Sequence, residues 1–74
     1  MREFTIAAEG VAVPKLVQLL ELAPSSREAR RLVEQGAVEI DGEKQADPRA
    51  AVTPRDGMVV RVGRNYVRLR TNGA

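Results

Sequence analysis

Between residues 26 and 36, Arg27, Arg30, Arg31 and Glu34 recur at helical spacing, and Ala29, Leu32, Val33 and Gly36 form a second stripe on the opposite side. Burying the apolar stripe sets three guanidinium groups together in solvent. Such a cluster suits phosphate, because each planar guanidinium donates through a rigid fork. A competing account needs no ligand: Glu28 with Arg31 and Glu34 with Arg30 can pair along the helix, at a few tenths of a kcal/mol each. Arg27 falls outside that account. It sits in the first turn, where the helix dipole disfavours a cation, while the free amides of the same terminus can donate to a phosphate.

The end of the chain repeats this chemistry. Twelve Lys and Arg against ten Asp and Glu leave a net charge of +2, too small to identify a polyanion partner by itself. Four of the twelve, Arg61, Arg64, Arg68 and Arg70, lie in residues 57–74, where there is no acid. Strand alternation sends Tyr66, Arg68 and Arg70 to one face, with Arg61, and Val67 and Leu69 to the other. A flat basic surface with one aromatic can take single-stranded or looped RNA through phosphate contacts and base stacking. The plainer alternative is that Tyr66 covers the edge of the core and the arginines solvate a half-exposed strand.

Residue types argue against catalysis by this chain. Cysteine and histidine are absent, which removes thiolate metal sites, disulfides and the commonest general base. There is no Gly-rich phosphate loop followed by Lys-Ser/Thr and no HExxH. Asp41 with Glu43, and Asp47 with Asp56, occupy turn contexts that explain carboxylates without acid-base work. We therefore expect no catalytic residue, no metal ligands and no cofactor of the chain's own. Its apolar runs are shorter than a membrane span needs, and Met1 to Gly10 lacks the apolar core of a signal peptide, so a soluble, cytoplasmic chain is expected.

The 74 residues suit one small α+β domain with one thin core. Val13, Leu16, Val17 and Leu20 predict a first helix over Val13 to Leu22, broken at Ala23-Pro24-Ser25. Ser25 and Glu28 form a capping-box pattern for a second helix, Ser26 to Gln35, and Gly36 supplies its left-handed stop. Val38-Glu39-Ile40, the Asp41-Gly42 turn and the residues after Glu43 predict a hairpin. Residues 46–56 read as an irregular connection with a brief strand near Ala51-Val52. Met58 to Val62 and Tyr66 to Arg70 predict two more strands around Gly63-Arg64-Asn65. Residues 1–12 form a lead-in, with Arg2 to Ile6 as a possible edge strand, residues 13–70 the domain, and residues 71–74 a frayed tail.

The run Ser26-Arg27-Glu28-Ala29-Arg30-Arg31-Leu32-Val33-Glu34-Gln35-Gly36-Ala37-Val38-Glu39-Ile40-Asp41-Gly42 resembles the S4 RNA-binding motif. It departs from the family's usual wording at Asp41, where Asn is commonest, which keeps the turn but replaces a local donor with a charge. Val11 to Leu22 and the terminal Gly57 to Leu69 look like the C-terminal extension of bacterial tyrosyl-tRNA synthetases. The resemblance implies an S4-type (alpha-L RNA-binding motif) fold, with two helices on a small, mostly antiparallel sheet. It implies RNA contacts at Ser26, Arg27, Arg30, Arg31 and Lys44, to which the basic hairpin adds Arg61, Arg64, Tyr66 and Arg68. The implied partner is tRNA, tyrosine tRNA above others. Tyrosine activation with ATP and Mg would belong to a homodimeric parent's catalytic domain, while the isolated domain is expected to be a monomer. A stand-alone S4 protein on ribosomal RNA, or a protein-interaction module using Val59 and Tyr66, stays open.

Overall fold

A computed structural model describes residues 1–71. In chain order the elements are β1 (Arg2–Ile6), β2 (Val11–Ala12), α1 (Val13–Leu19), α2 (Ser26–Glu34), β3 (Val38–Ile40), β4 (Glu43–Gln45), β5 (Ala51–Val52), β6 (Val59–Val62) and β7 (Asn65–Thr71). Five strands form one sheet in the order β1-β7-β6-β3-β4, and β2 pairs with β5 separately. All pairings are antiparallel except β1 with β7. This is the expected α+β arrangement of two helices on a mostly antiparallel sheet. Arg2–Ile6 is the edge strand its sequence suggested. Of the expected tail, Thr71 ends β7, and residues 72–74 lie outside the described residues.

One face of the sheet is apolar because period-two alternation runs through every central strand. Val38 and Ile40, Val60 and Val62, and Val67 and Leu69 all point to it, none more than 6% exposed. Against Ile40, Val60, Val67 and Leu69 pack Leu16 of α1 and Leu20, which caps the end of that helix. Its other buried residues, Val13 and Val17, meet Ala29 and Val33 of α2 beside Val38 and Val62. Both helices therefore cover one face.

Both helices also end in the same closed motif. After α2, the Gly36 amide donates to Val33 and the Ala37 amide to Leu32, with Gly36 at φ +72°. After α1, the Glu21 amide donates to Gln18 and the Leu22 amide to Val17, with Glu21 at φ +59°. These are the paired hydrogen bonds of a Schellman stop. The first helix thus ends at Leu19, short of the expected Leu22, because the chain turns left-handed at Glu21 before Pro24 is reached. No residue type signals this stop, since glutamate rather than glycine holds the left-handed position. At the start of α2, Ser25 Oγ accepts from the Glu28 amide at 3.2 Å, as a cap should. The reciprocal arm expected of a capping box is missing among the described residues; the Glu28 carboxylate lies instead 3.6 Å from Arg31.

The β3–β4 turn places Asp41 at φ +51° and Gly42 at φ +85° between the paired residues Ile40 and Glu43. Two positive values match the type I′ turn that twists with its strands. Between β6 and β7 the two-residue turn Gly63-Arg64 takes its positive φ at Gly63.

Glu21→Gly should stabilise the domain by about 1 kcal/mol, because it relieves a left-handed Cβ clash. The 4.0 Å contact it removes, Arg2 to an exposed Glu21, contributes little. Gly36→Ala should destabilise by a similar amount or more, since the new Cβ would meet Lys44 Cδ at 3.0 Å as well as adopt positive φ. Thermal melts should show shifts of about 4–8 °C in opposite directions; a fall for Glu21→Gly would contradict this account of α1.

Candidate nucleic-acid interface

The buried setting of Ala29 and Val33 turns Arg27, Arg30 and Arg31 outward, and all three are exposed. Arg30 Nε lies 3.8 Å from Glu34, and Arg31 lies 3.6 Å from Glu28, so the two pairs of the ligand-free account do form. At more than half exposure for both arginines, each pair contributes only a few tenths of a kcal/mol. Arg27 has no ion pair among the described residues, nor have Lys15, Lys44, Arg64 and Arg68.

Arg27 and Arg30 line an open groove of about 480 Å³ between α1 and α2. Ser26 shares their side, α1 contributes Pro14, Lys15 and Gln18, and Pro48 and Ala12 complete the lining. No acidic side chain lines this groove among the described residues. Three cations from two helices therefore face one cleft, an arrangement that attracts and orients a phosphate. Sequence reasoning missed Lys15 and Gln18. They stand outside the Val13-Leu16-Val17-Leu20 stripe and so were legibly exposed, but only the packing of α1 on α2 brings them beside Arg27.

The remaining expected residues divide differently. Lys44, Glu39, Arg61 and Tyr66 are successive cross-strand neighbours on the uncovered face of the sheet. Arg61 is spent internally: it lies 3.0 Å from Glu39 and its Cζ stands 6.0 Å from the centre of the Tyr66 ring. A phosphate at Arg61 would have to displace that carboxylate. Tyr66 is 47% exposed and points away from Val67 and Leu69, so it does not cover the core edge. Arg68 shares its face, and Arg64 occupies the β6–β7 turn. Lys44 stands between the two surfaces, its aliphatic stem running against Gly36 at the end of α2. The structure thus gathers Ser26, Arg27 and Arg30 in the groove, leaves Arg31 on the same exposed side of α2 but outside the groove lining, and sets Arg61, Tyr66 and Arg68 on a separate face.

Other charges are structural. Arg70 reaches Glu3 at 3.2 Å and Asp56 at 3.4 Å, and the Glu3 contact, then Asp56, holds its guanidinium still more firmly in the charged form. The Asp41 carboxylate, unusual for the motif, accepts from the Val59 amide at 3.0 Å and lies 3.9 Å from Arg55. The substituted charge is therefore used to tie the turn to β6.

The family model of the tyrosine–tRNA ligase SYY-like C-terminal domain matches residues 1–69. This chain belongs to that family. It is 49% identical over 72 residues to the tyrosine–tRNA ligase of Moorella thermoacetica, covering 96% of this chain and 17% of that protein. The tyrosine–tRNA ligase of Symbiobacterium thermophilum is 55% identical over 49 residues, covering 65% of this chain and 12% of that protein. That of Desulfotalea psychrophila is 37% identical over 62 residues, or 82% of this chain and 15% of that protein. The chain thus spans a small fraction of these ligases, their C-terminal domain. Among the described residues no helix is long and apolar enough to cross a membrane.

Replacing Arg27 and Arg30 together by Ala should leave folding almost untouched. The lost Arg30–Glu34 pair is exposed, and Ala is the better helix former. Thermal melts should show a change within about 1 kcal/mol of either sign; a large loss would make these arginines structural.

Proposed function

We propose that this domain holds tRNA, preferentially tyrosine tRNA, for a cytoplasmic, homodimeric tyrosine–tRNA ligase. One observation carries this reading: Lys15, Arg27 and Arg30 converge on a cleft that no acidic side chain lines among the described residues, in a domain whose relatives are tyrosine–tRNA ligases. Phosphates are gripped by those three side chains, with Arg31 and Lys44 extending the contact along α2 and around its end. Tyr66, Arg64 and Arg68 offer a weaker second surface, where a loop can stack on the phenol and pair with the free guanidinium of Arg68. Tyrosine activation with ATP and Mg is the task of a catalytic portion beyond these residues. The chain contributes position, because a tethered grip raises the local concentration of the tRNA at the site of transfer.

The Arg27→Ala/Arg30→Ala variant tests the reading. Its affinity for tyrosine tRNA should fall, and the slope of log affinity against log salt should shrink by about one unit per lost phosphate contact. Binding isotherms at several salt concentrations read both quantities. Unchanged affinity and slope would remove the proposed interface.

A further inference from the structure

The groove differs from a plain phosphate-binding surface in what lines it besides its cations. Pro14 and Pro48 contribute apolar rings to its lining and Gln18 a side-chain amide, all three half-buried. The Gln18 side-chain amide has no hydrogen-bond partner among the described residues. A continuous duplex keeps its base faces stacked and so offers no flat apolar surface to the two proline rings. A volume of about 480 Å³ falls within the usual range of clefts for small organic ligands.

We propose that this groove receives one unpaired nucleotide of the bound RNA, an inference that rests on the RNA-holding reading above. The base lies against Pro14 and Pro48, and its edge meets the Gln18 amide. Lys15 and Arg27, the two rim cations without an ion pair, hold its flanking phosphates. The chemically distinct parts of the lining then match parts of the ligand: apolar rings for a flat base, a donor-acceptor amide for its edge, free cations for its charge. An amide carrying one donor and one acceptor matches the paired N6 and N7 of adenine, so an everted adenosine is the first probe.

Three hairpin RNAs of one stem decide it: one with a single bulged adenosine, one with an abasic residue at the same point, and one fully paired. Bound to the 74-residue chain at fixed low salt, the bulged hairpin should be at least about five-fold tighter than the abasic one, the weakest effect expected of a stacked base. The amide of Lys15 should shift with every hairpin that binds, whereas those of Gln18 and of Arg49, the residue after the amide-less Pro48, should shift further with the bulged hairpin than with the other two. Gln18→Ala should shrink the ratio, and Lys15→Ala should lower affinity for the bulged hairpin, both with unchanged melting temperature. Equal affinity for bulged and abasic hairpins would overturn the nucleotide pocket while leaving the phosphate grip standing. If none of the three binds, the RNA-holding reading falls and the pocket with it.

Discussion

Ala29 and Val33 have no solvent exposure, and this burial fixes the rotation of α2 about its axis. Four residues apart on one helix, they lie one above the other and meet Val13, Val17, Val38 and Val62 together. Any other rotation would expose one of them or drive an arginine into the core, where an unpaired charge is far more costly than a lost methyl contact. The positions of Arg27, Arg30 and Arg31 follow from that choice. The ion pairs at Glu34 and Glu28 do not set it, since exposed pairs of this kind are too weak to turn a helix against its apolar contacts.

The sheet separates two basic surfaces that the sequence could present as one. Alternation along β6 and β7 guarantees that Arg61, Tyr66 and Arg68 share a face, and covering the opposite face with both helices leaves that face open. Cross-strand register then decides which charges are free. Glu39 stands directly beside Arg61, so that guanidinium is neutralised at 3.0 Å, whereas Arg68 faces Val59 and a Glu3 already engaged with Arg70. Counting arginines along the strand cannot distinguish these two cases.

Much of the fold was legible because it is written in local periodicity: both helices, the β3–β4 hairpin, the brief β5 strand and the β6–β7 hairpin lie where the apolar pattern and turn residues put them. The misses have physical causes. The early stop of α1 depends on a left-handed glutamate, which carries no composition signal. The β2 strand is two residues long and exists only through its pairing with Ala51 and Val52. The failed half of the capping box reflects the Glu28 carboxylate lying beside Arg31, a competing partner one turn on, rather than on the Ser25 amide. At the site, the arginine stripe was visible from spacing, but the groove was not, since Lys15 and Pro48 reach Arg27 only through tertiary packing.

That packing depends on the strand most distant in sequence from the rest of the sheet. β1 joins the edge through parallel pairing with β7, and the Arg70 guanidinium bridges Glu3 on β1 and Asp56 before β6. From the same strand the Arg2 guanidinium donates to the Leu20 carbonyl, satisfying one of the acceptors left open at the end of α1. β1 thus holds both the last strand and the first helix, and α1 carries Lys15 and Gln18 into the groove. In a domain with so thin a core, these exposed polar ties contribute less through their own energies than through what they align. Phe4 and Ile6 are brought against the apolar cluster of Leu16, Leu20 and Leu69 only when β1 is in register. The geometry of the groove is accordingly a property of the whole domain, although the residues that line it come from two short helices, the end of β2 and one loop.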